Sequence, residues 1–416
     1  MRRGVVHHKQ LHVDHEAQAE ARVPDSVARL RALNVELAVE RLEIELVTSM
    51  QAIESEWRAL DLDNLNSLHQ SYDWCAAWVE AHRRPLAVIV GKADADTAFI
   101  LPVEIVSSRG IRIAKFIGAD HSNINTGLFA ADFAAALGSI APEHLSAMLK
   151  AALGDHADLL LLQNIPLSWR ERPNPLVRLP TVQNQNYAYQ LPLLENWEAT
   201  LKQLNAKNRR KKFRVQSKRL EALGGFEYVA GGTPEEQHRL LDAFFAQKSQ
   251  RFQALGLPDV FSDAETKEFL HGAIDARDPG IPAFGLEMHA IQLKGEHDGH
   301  IAALAGISRK GDHVVCQFSS IDESIAADAS PGEFLFWQMI QRQQDHGVSL
   351  FDFGLGDQSY KRSWAPEETA HYDVVLPMNA RGAAMGLLHR TITRGKALVK
   401  SHPRLYKIAQ RMRRFA

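Results

Sequence analysis

The sequence predicts a mixed α/β protein built from two domains. Its 416 residues exceed what one hydrophobic core usually organises. Short apolar runs with the period of strands are interspersed with longer amphipathic runs with the period of helices, and Gly, Pro and Asp turns separate them. Because both kinds of element occur in each half of the chain, we expect one mixed domain over residues 37–190 and another over residues 191–378.

In the first half, strand and helix patterns follow one another closely. Leu42, Ile44 and Leu46 alternate with charged residues, as in a half-buried strand. Helices are then predicted over 50–60, 71–82 and 141–153, and strands over 85–92, 97–108, 111–119 and 157–165. A Pro-rich stretch at 172–183 is predicted to connect the two halves.

The second half repeats this order of elements, with helices before an antiparallel meander and a crossover helix after it. The predicted helices cover 196–205, 208–223, 234–252, 262–274 and 330–347. The predicted strands cover 226–230, 284–295, 300–311, 313–321, 348–354 and 371–377. This mixture is typical of an α+β or mixed α/β domain.

Composition narrows the class of protein. No apolar run approaches the 18–20 residues, roughly, that span a bilayer, and no apolar segment follows the basic start, so we expect no secretory signal. Cys75 and Cys316 are the only cysteines, which excludes a disulfide framework and fits a reducing cytoplasm.

Residues 1–36 are polar and aperiodic, and we expect a disordered lead-in there. Its histidines could bind a metal ion, but a solvated tail is the expected state, and we predict no metal site.

The net charge of −2 conceals two strongly basic segments. Residues 205–220 hold eight Lys or Arg and no acid, and residues 381–416 hold ten and no acid. A solvated helix face explains many charge runs, but cations this concentrated favour an anionic partner at specific places.

The basic end of the chain, residues 379–416, has the pattern of an amphipathic tail. Leu405, Ile408, Met412 and Phe415 recur with helical spacing beside a stripe of Arg and Lys. Such a helix either lies on an anionic membrane surface or docks its apolar stripe on the protein body. Both interpretations stay open, so we expect a cytoplasmic protein with a potential peripheral membrane contact through 381–416.

The start of the predicted helix at 330–347 is a candidate anion site. Ser330, Pro331 and Gly332 precede an apolar first turn. Proline fixes the first helical residue, glycine permits close approach of a ligand, and free N–H groups favour a pyrophosphate. The alternative is an ordinary helix start capped by Ser330.

The end of the strand at 348–354 is the second candidate. Asp352 has apolar neighbours, so its carboxylate must find hydrogen-bond donors or stay protonated. Ligands collect at the carboxyl ends of strands beside a crossover helix. Gly354 and Gly356 remove side chains just beyond this end.

Three chemically different groups follow those glycines. Asp357 could accept a proton from a nucleophile, Tyr360 could protonate a leaving thiolate, and Lys361 could hold a phosphate or an oxyanion. The alternative is a Gly-rich turn whose Asp and Lys form structural pairs.

Three stretches together resemble a known family: "SLHQSYDWCAAWVEAH", "LNAKNRRKKFRVQSKRLEALGGFEYV" and "SPGEFLFWQMIQRQQDHGVSLFDFGLGDQSYKRSW". They are similar to the CelD-type, or BioF2-like, acyltransferases, a group of the GNAT superfamily related to the Fem peptidyltransferases. The resemblance covers residues 40–375 and implies tandem GNAT-like domains, with the transferase site in the second. It also implies acetyl-CoA or another acyl-CoA as co-substrate, and an amine or hydroxyl acceptor in polysaccharide or cell-envelope biosynthesis.

By motif, the resemblance covers the basic helix start, the helix entry and the strand end with the turn after it, at positions Arg209, Arg210, Pro331, Gly332, Asp352, Gly354, Gly356, Tyr360 and Lys361. Together with the residue types themselves, it leads us to expect catalytic roles for Asp352, Asp357, Tyr360 and Lys361, cofactor contacts for Ser330, Pro331, Gly332, Gly354 and Gly356, and substrate contacts for Arg209 and Arg210. The usual GNAT pyrophosphate loop is not present, so "SPGEF" would take its place. The alternative functions are a Fem-like aminoacyltransferase that uses aminoacyl-tRNA, and a non-catalytic GNAT-like scaffold at the membrane surface.

Overall fold

The structure, a computed structural model, describes residues 41–62, 65–137, 140–278 and 283–402. The predicted lead-in at 1–36 and the apolar stripe from Leu405 to Phe415 lie outside the described residues. Of the predicted tail, only residues 379–402 are described.

The elements alternate along the chain as the mixed pattern predicts. The strands are β1 Leu42–Val47, β2 Val88–Ala93, β3 Asp96–Leu101, β4 Val103–Ser108, β5 Ile111–Phe116, β6 Leu128–Phe129, β7 Leu159–Pro166, β8 Ser168–Trp169, β9 Arg172–Pro173, β10 Thr181–Pro192, β11 Phe226–Ala230, β12 Arg277–Asp278, β13 Ala283–Leu293, β14 Ile301–Lys310, β15 His313–Ile321, β16 Leu350–Leu355 and β17 Glu367–Pro377. The α-helices are α1 Glu54–Leu62, α2 Tyr72–His82, α3 Ala131–Leu137, α4 Pro142–Leu153, α5 Trp197–Lys202, α6 Ala206–Ala222, α7 Pro234–Leu255, α8 Ala264–Asp275, α9 Glu323–Ala326, α10 Pro331–Asp345, α11 Ser359–Trp364 and α12 Ala380–Ser401.

A single large sheet runs through both halves of the chain. Among the described strands, its order is β11-β13-β14-β15-β16-β10-β17-β7-β5-β4, with β12 paired to β13. A smaller sheet, β1-β2-β3-β6, belongs to the first half. Mixed sheets flanked by helices confirm the predicted fold class. The predicted boundary between residues 190 and 191 falls inside β10, which pairs with β16 on one side and β17 on the other.

Pro102 divides one predicted strand into two. The apolar pattern over 97–108 indicates a single strand, but β3 ends before this proline and β4 begins after it. Proline lacks the N–H that continues a ladder and has a restricted φ. The chain passes from the small sheet into the large sheet at this point, so Pro102 marks the transfer between them.

Strand β10 lies largely in a stretch that the sequence pattern did not identify as a strand. The run 181–192 contains Asn184, Gln185 and Asn186, which interrupt apolar alternation. The structure shows an irregular register with β17 between Gln183 and Tyr187. A bulge of this kind breaks the period of two on which strand prediction depends.

The two halves share a core and a buried ion pair. Trp74 and Trp78 of α2 pack edge-on against Phe269 of α8, with ring centroids 5.0 and 4.9 Å apart. The Lys310 ammonium, at the end of β14, donates to Asp61 of α1 and, at 2.6 Å, to Asn66 Oδ1. All three polar side chains are buried. Because a buried charge must keep its partner, this ion pair fixes the position of α1 relative to β14.

Helix α12 lies against β10 and β17. His389 Nε2 is 2.9 Å from Asp373 Oδ2, and Arg390 donates to the carbonyl oxygen of Thr181 at 2.9 Å. The described part of the predicted tail therefore docks on the body. Its outer face exposes Leu387, Leu388, Ile392 and Leu398, and contact of that face with an anionic membrane stays a prediction. None of the described helices is both long enough and apolar enough to cross a membrane.

The parallel strands β15 and β16 separate soon after they begin. Within the described chain, their ladder joins only His313, Val314 and Val315 to Leu350, Phe351 and Asp352. Beyond these pairs, β15 continues to Ile321 and β16 to Leu355 without pairing to each other. The separation opens a cleft in the large sheet between two strand edges.

Candidate active site

A cavity of about 810 Å³ occupies the cleft between β15 and β16, and we call it the central cavity. Its walls come from the end of β15, the first turn of α10, the end of β16 with α11, and one face of α7. Gly332, from the predicted helix start at 330–332, and the turn after the predicted strand at 348–354 thus face one space. The volume is that of a typical small-molecule site.

A β-bulge shapes the floor of the central cavity. Gly306 pairs with Phe318 and Ile307 pairs with Cys316, which leaves Gln317 as the extra residue of β15. Its side-chain amide lies 3.2 Å from Asn123 Nδ2 and 3.1 Å from His69 Nε2. Bulges beside active sites redirect side chains in this way, so Gln317 presents an amide at the point where the strands part.

Tyr360 and Lys361, both predicted, line the central cavity. The Lys361 ammonium donates to the carbonyl oxygen of Leu355 at 2.6 Å, and burial lowers the pKa of Lys361. The Tyr360 ring stacks on Phe336 at 5.3 Å. Burial raises the pKa of Tyr360 above its usual range, so the phenol keeps its proton at neutral pH and can act as a hydrogen-bond donor.

The electrostatics of the central cavity favour an anion. Lys212, Lys248 and Arg251 line it together with Lys361, and the described lining residues include one acid, Glu333. Burial lowers the pKa of Lys248, because an ammonium away from water is less stable without a counter-charge. An anionic ligand would supply that counter-charge.

Side chains of the protein already bind at the first turn of α10. Ser330 occupies the N-cap position with a left-handed φ of 48°, but its side chain makes no capping hydrogen bond. Glu333 accepts hydrogen bonds from Arg209 at 2.7 Å and from Gln216 at 3.3 Å. Of Ser330, Pro331 and Gly332, only Gly332 lines the central cavity. A Cβ on Gly332 would lie 2.7 Å from the Ile321 side chain, so close packing of α10 on β15 already requires this glycine.

Asp352 lies beneath the central cavity and does not line it. Its carboxylate is fully buried, and it accepts hydrogen bonds from the Gly354 N–H at 2.6 Å and the Gln190 amide at 2.7 Å. Burial acts to raise the pKa of Asp352, but His313 nearby and these donors lower it below its usual value. These contacts suit a residue that positions the turn, and the predicted catalytic role of Asp352 stays a prediction.

Asp357, Arg209 and Arg210 do not line the central cavity. Asp357 pairs with Arg362 at 2.6 Å and lines a different cavity, next to α12. The Arg209 guanidinium is buried, with its centre 3.8 Å from the centroid of the Trp364 ring, and Arg210 pairs with Glu198 at the surface. The basic helix reaches the central cavity through Lys212 instead. The substrate and catalytic roles of these three residues stay predictions that the geometry does not favour.

Several residues of the site were not identified from the sequence. Asn123 reaches the site from the first half and accepts a hydrogen bond from the Leu355 N–H at 3.2 Å. Lys248 and Arg251 reach it from α7. Lys248 and Arg251 are three residues apart in a predicted helix, so the sequence places both cations on one helix face. Nothing in the local pattern around Asn123 indicates its distant partner.

Gly354 is required by the turn itself, and this gives a first prediction. Its φ is +69°, and a Cβ there would lie 2.6 Å from Asn123 Oδ1. We expect Gly354→Ala to lower the free energy of unfolding by about 1–3 kcal/mol through strain and the clash, measured by urea denaturation. Adding Asn123→Ala should recover part of the loss. A Gly354→Ala protein as stable as the wild type would contradict this reading of the turn.

Comparison with known families agrees with the geometry. Residues 207–362 match the family model Acetyltransf_6, described as an acetyltransferase (GNAT) domain. The match runs from α6 to α11 and therefore includes β15, α10 and the turn after β16. Residues 207–362 are thus similar to a GNAT-type acetyltransferase domain. This matched segment supplies most of the residues that line the central cavity, while Asn123, Ser363 and Trp364 lie outside it. No curated protein matches the chain by sequence.

Solved structures share the fold over both halves. The protein titled FemX superposes with a TM-score of 0.54 at 12% identity, covering 79% of this chain and 96% of that one. The C-terminal domain of a putative lysylphosphatidylglycerol synthetase from Agrobacterium fabrum gives 0.51 at 13%, covering 83% and 97%. L-PGS from Bacillus licheniformis gives 0.51 at 12%, covering 84% and 99%. At these identities the likeness shows a shared fold, which extends beyond the GNAT domain into the first half.

Proposed function

We propose that the protein is an acyltransferase that takes an acyl group from acyl-CoA, with acetyl-CoA as the simplest donor, and transfers it to an amine or hydroxyl. The observation that carries the proposal is the central cavity, where two separated strand edges, a phenol and a group of cations converge. The GNAT-type acetyltransferase domain supports the same class of reaction.

The strand edges suit the pantetheine arm of the donor. Beyond Val315, the edge of β15 that faces β16 has no ladder partner on that side within the described chain. An extended ligand with amide groups can hydrogen-bond to such an edge as an added strand would. The phosphates of CoA would lie toward Lys212, Lys248 and Arg251, whose positive charge draws an anionic ligand to the cavity.

The chemistry needs alignment and two charge-stabilising groups. The acceptor atom forms a bond to the thioester carbonyl carbon, the C–S bond breaks with its electron pair on sulfur, and the proton lost by the acceptor ends on sulfur. The protonated Tyr360 hydroxyl would give its proton to the leaving sulfur and regain one from the acceptor through solvent. The Lys361 ammonium would stabilise the negative charge that develops.

Acetyl-CoA binding gives a direct test. We expect acetyl-CoA to raise the melting temperature of the wild-type protein, because a ligand that binds only the folded state stabilises it. Arg251→Glu should raise the dissociation constant of acetyl-CoA, measured by calorimetry, about tenfold or more. The substitution replaces a positive charge that would meet a CoA phosphate with a negative one. Both Arg251 and Arg239 are exposed on α7, and Arg239 does not line the central cavity. Arg239→Glu is therefore the matched control and should bind as the wild type does. A wild-type protein that does not respond to acetyl-CoA would contradict the proposal.

One observation favours a second candidate, an aminoacyltransferase that uses aminoacyl-tRNA. Helix α6 exposes Lys207, Lys211, Arg214 and Lys218, more cations than the central cavity uses. A row of exposed cations suits a nucleic-acid backbone, and such binding weakens steeply with salt. Salt-sensitive binding of tRNA without any response to acetyl-CoA would favour this candidate over the first.

A further inference from the structure

Helix α12 carries an apolar stripe on the side that faces away from the protein body. Leu387, Leu388, Ile392 and Leu398 form this stripe, which we call the outer stripe, and their exposed fractions are 67%, 47%, 46% and 58%. At about 100° per residue, the four positions fall within one sector of about 140° around the helix. The described chain exposes twelve large apolar side chains, and these are four of them. Single exposed apolar residues are ordinary, but such a group on one helix face marks an interaction surface.

The opposite face of α12 is fixed on the large sheet. A Cβ on Gly382 would overlap the carbonyl oxygen of Asp158, so the helix lies directly against the backbone just before β7. The Asn379 side chain accepts from the Gly382 N–H at 3.1 Å and donates to Asp158 Oδ1 at 2.7 Å. Arg390 donates to the carbonyl oxygen of Val375 at 2.9 Å. The helix cannot turn its outer stripe onto the body without breaking these contacts, so docking on the body accounts for the inner face alone.

The charge of α12 is of one sign. Its 22 residues include five Lys or Arg and no Asp or Glu. Arg394 follows Leu387 by seven residues and Lys396 follows Ile392 by four, so these two cations lie at opposite edges of the outer stripe. Both are exposed, and neither forms an ion pair within the described chain, although Glu368 lines the cavity beside α12 together with Arg394. The outer stripe is thus bordered on both sides by exposed positive charge.

An anionic bilayer matches this surface better than other occupants do. Apolar side chains of an interfacial helix enter the boundary between headgroups and acyl chains, while flanking Lys and Arg meet lipid phosphates. A nucleic acid would engage the cations and leave the apolar stripe in water. A second α12 would bring five more cations and no acid. Residues 403–416 also carry five Lys or Arg and no acid, so neither segment supplies negative charge to the edges of the stripe.

We propose that the outer stripe of α12 binds the surface of an anionic lipid bilayer, with the helix axis parallel to that surface. From Leu387 to Leu398 the stripe extends about 16 Å along the helix, at about 1.5 Å per residue. The inner face of the helix then holds the protein body on the water side. This binding requires neither the proposed donor nor the proposed transfer reaction, so it can be tested without an acyl substrate.

Vesicle binding by the full 416-residue chain tests the surface. The probes are vesicles of phosphatidylcholine alone and vesicles in which about one third of the lipid is phosphatidylglycerol, and co-sedimentation gives the partition constant. Leu387→Asp combined with Ile392→Asp alters the outer stripe. Leu62→Asp combined with Leu255→Asp is the matched control, because these two leucines are exposed to a similar degree, 56% and 60%, at the ends of α1 and α7. Circular dichroism and melting temperatures verify that both variants fold.

The wild type and the Leu62/Leu255 control should bind the phosphatidylglycerol vesicles equally, and at least about tenfold more tightly than the phosphatidylcholine vesicles. The outer-stripe variant should bind the phosphatidylglycerol vesicles at least about tenfold more weakly than the wild type, with an unchanged melting temperature.

Three results would overturn the proposal. The first is a wild type that binds neither kind of vesicle, or binds both kinds equally. The second is an outer-stripe variant that binds as the wild type does. The third is a lipid-free dimer, detected by sedimentation velocity, that the outer-stripe variant alone fails to form, because a second copy would then cover the stripe.

A charge substitution tests the location without altering an apolar residue. Arg394→Glu combined with Lys396→Glu should weaken binding to the phosphatidylglycerol vesicles at least about tenfold, because it turns attraction to lipid phosphate into repulsion. Lys207→Glu combined with Lys211→Glu makes the same change of charge at exposed positions of α6, and this control should bind as the wild type does. An equal loss in both variants would show that net charge alone draws the protein to the vesicles, and would overturn the assignment to α12.

Discussion

Replacing Tyr360 with Phe should lower kcat for acyl transfer by about 10²–10⁴-fold, the range typical of losing a general acid. The substitution removes one oxygen and keeps the ring that stacks on Phe336, so the fold and the acetyl-CoA dissociation constant should not change. The physical reason is the buried, protonated phenol, which is the candidate proton donor for the departing sulfur. Release of CoA-SH, followed with a thiol reagent under saturating substrates, measures the effect.

The matched control is Tyr187→Phe. Tyr187 is 38% exposed and lines the cavity beside α12, away from the central cavity. Its hydroxyl accepts from the Gln183 amide at 3.3 Å, so the control also removes a bonded phenol. It should retain wild-type kcat. A Tyr360→Phe enzyme within about threefold of the wild type would show that the thiolate is protonated by another route, such as water.

Replacing Lys310 with Met should destabilise the whole protein by about 3–5 kcal/mol in the free energy of unfolding. The ammonium is buried against Asp61 and Asn66, and it joins β14 of the second half to α1 of the first. Removing the cation leaves the Asp61 carboxylate buried with one charge partner lost, which costs more than the pair itself contributes. Equilibrium urea denaturation gives the value.

Two controls distinguish a buried unpaired charge from a general loss of packing. Adding Asp61→Leu to Lys310→Met should recover part of the stability, because it removes the stranded carboxylate. Arg41→Ala breaks the exposed pair with Asp94, 2.7 Å long, and should cost less than about 1 kcal/mol. A loss below 1 kcal/mol for Lys310→Met alone would contradict the role of this pair in joining the halves.

The bounds of helices and strands could be predicted closely where apolar residues recur with a clear period. Strands Phe226–Ala230 and His313–Ile321 were predicted at the residues where the structure has them, because apolar residues bounded by Gly or Asp turns carry the strand signal. The large sheet that joins both halves could not be predicted. It depends on β10 lying between β16 and β17, and pairing between segments so distant in sequence leaves no local pattern.

The candidate site shows the same division. Tyr360, Lys361 and Gly332 were identified from the residue types near one strand and one helix, and the structure places all three at the central cavity. Asp357 lies three residues before Tyr360, yet it faces another cavity, since the helix α11 begins between them at Ser359. Asn123 and Gln317 meet at the central cavity through one side-chain contact across 194 positions, which no local motif reveals.

A crystal structure with the non-reactive thioether analogue of acetyl-CoA would show where the donor binds. We expect the pantetheine arm to lie between the edges of β15 and β16, with the sulfur within hydrogen-bond reach of the Tyr360 hydroxyl. We also expect the phosphates to lie toward Lys248 and Arg251. An analogue bound elsewhere, or bound in the central cavity with its sulfur on the side away from Tyr360, would contradict both the proposed donor site and the role of Tyr360.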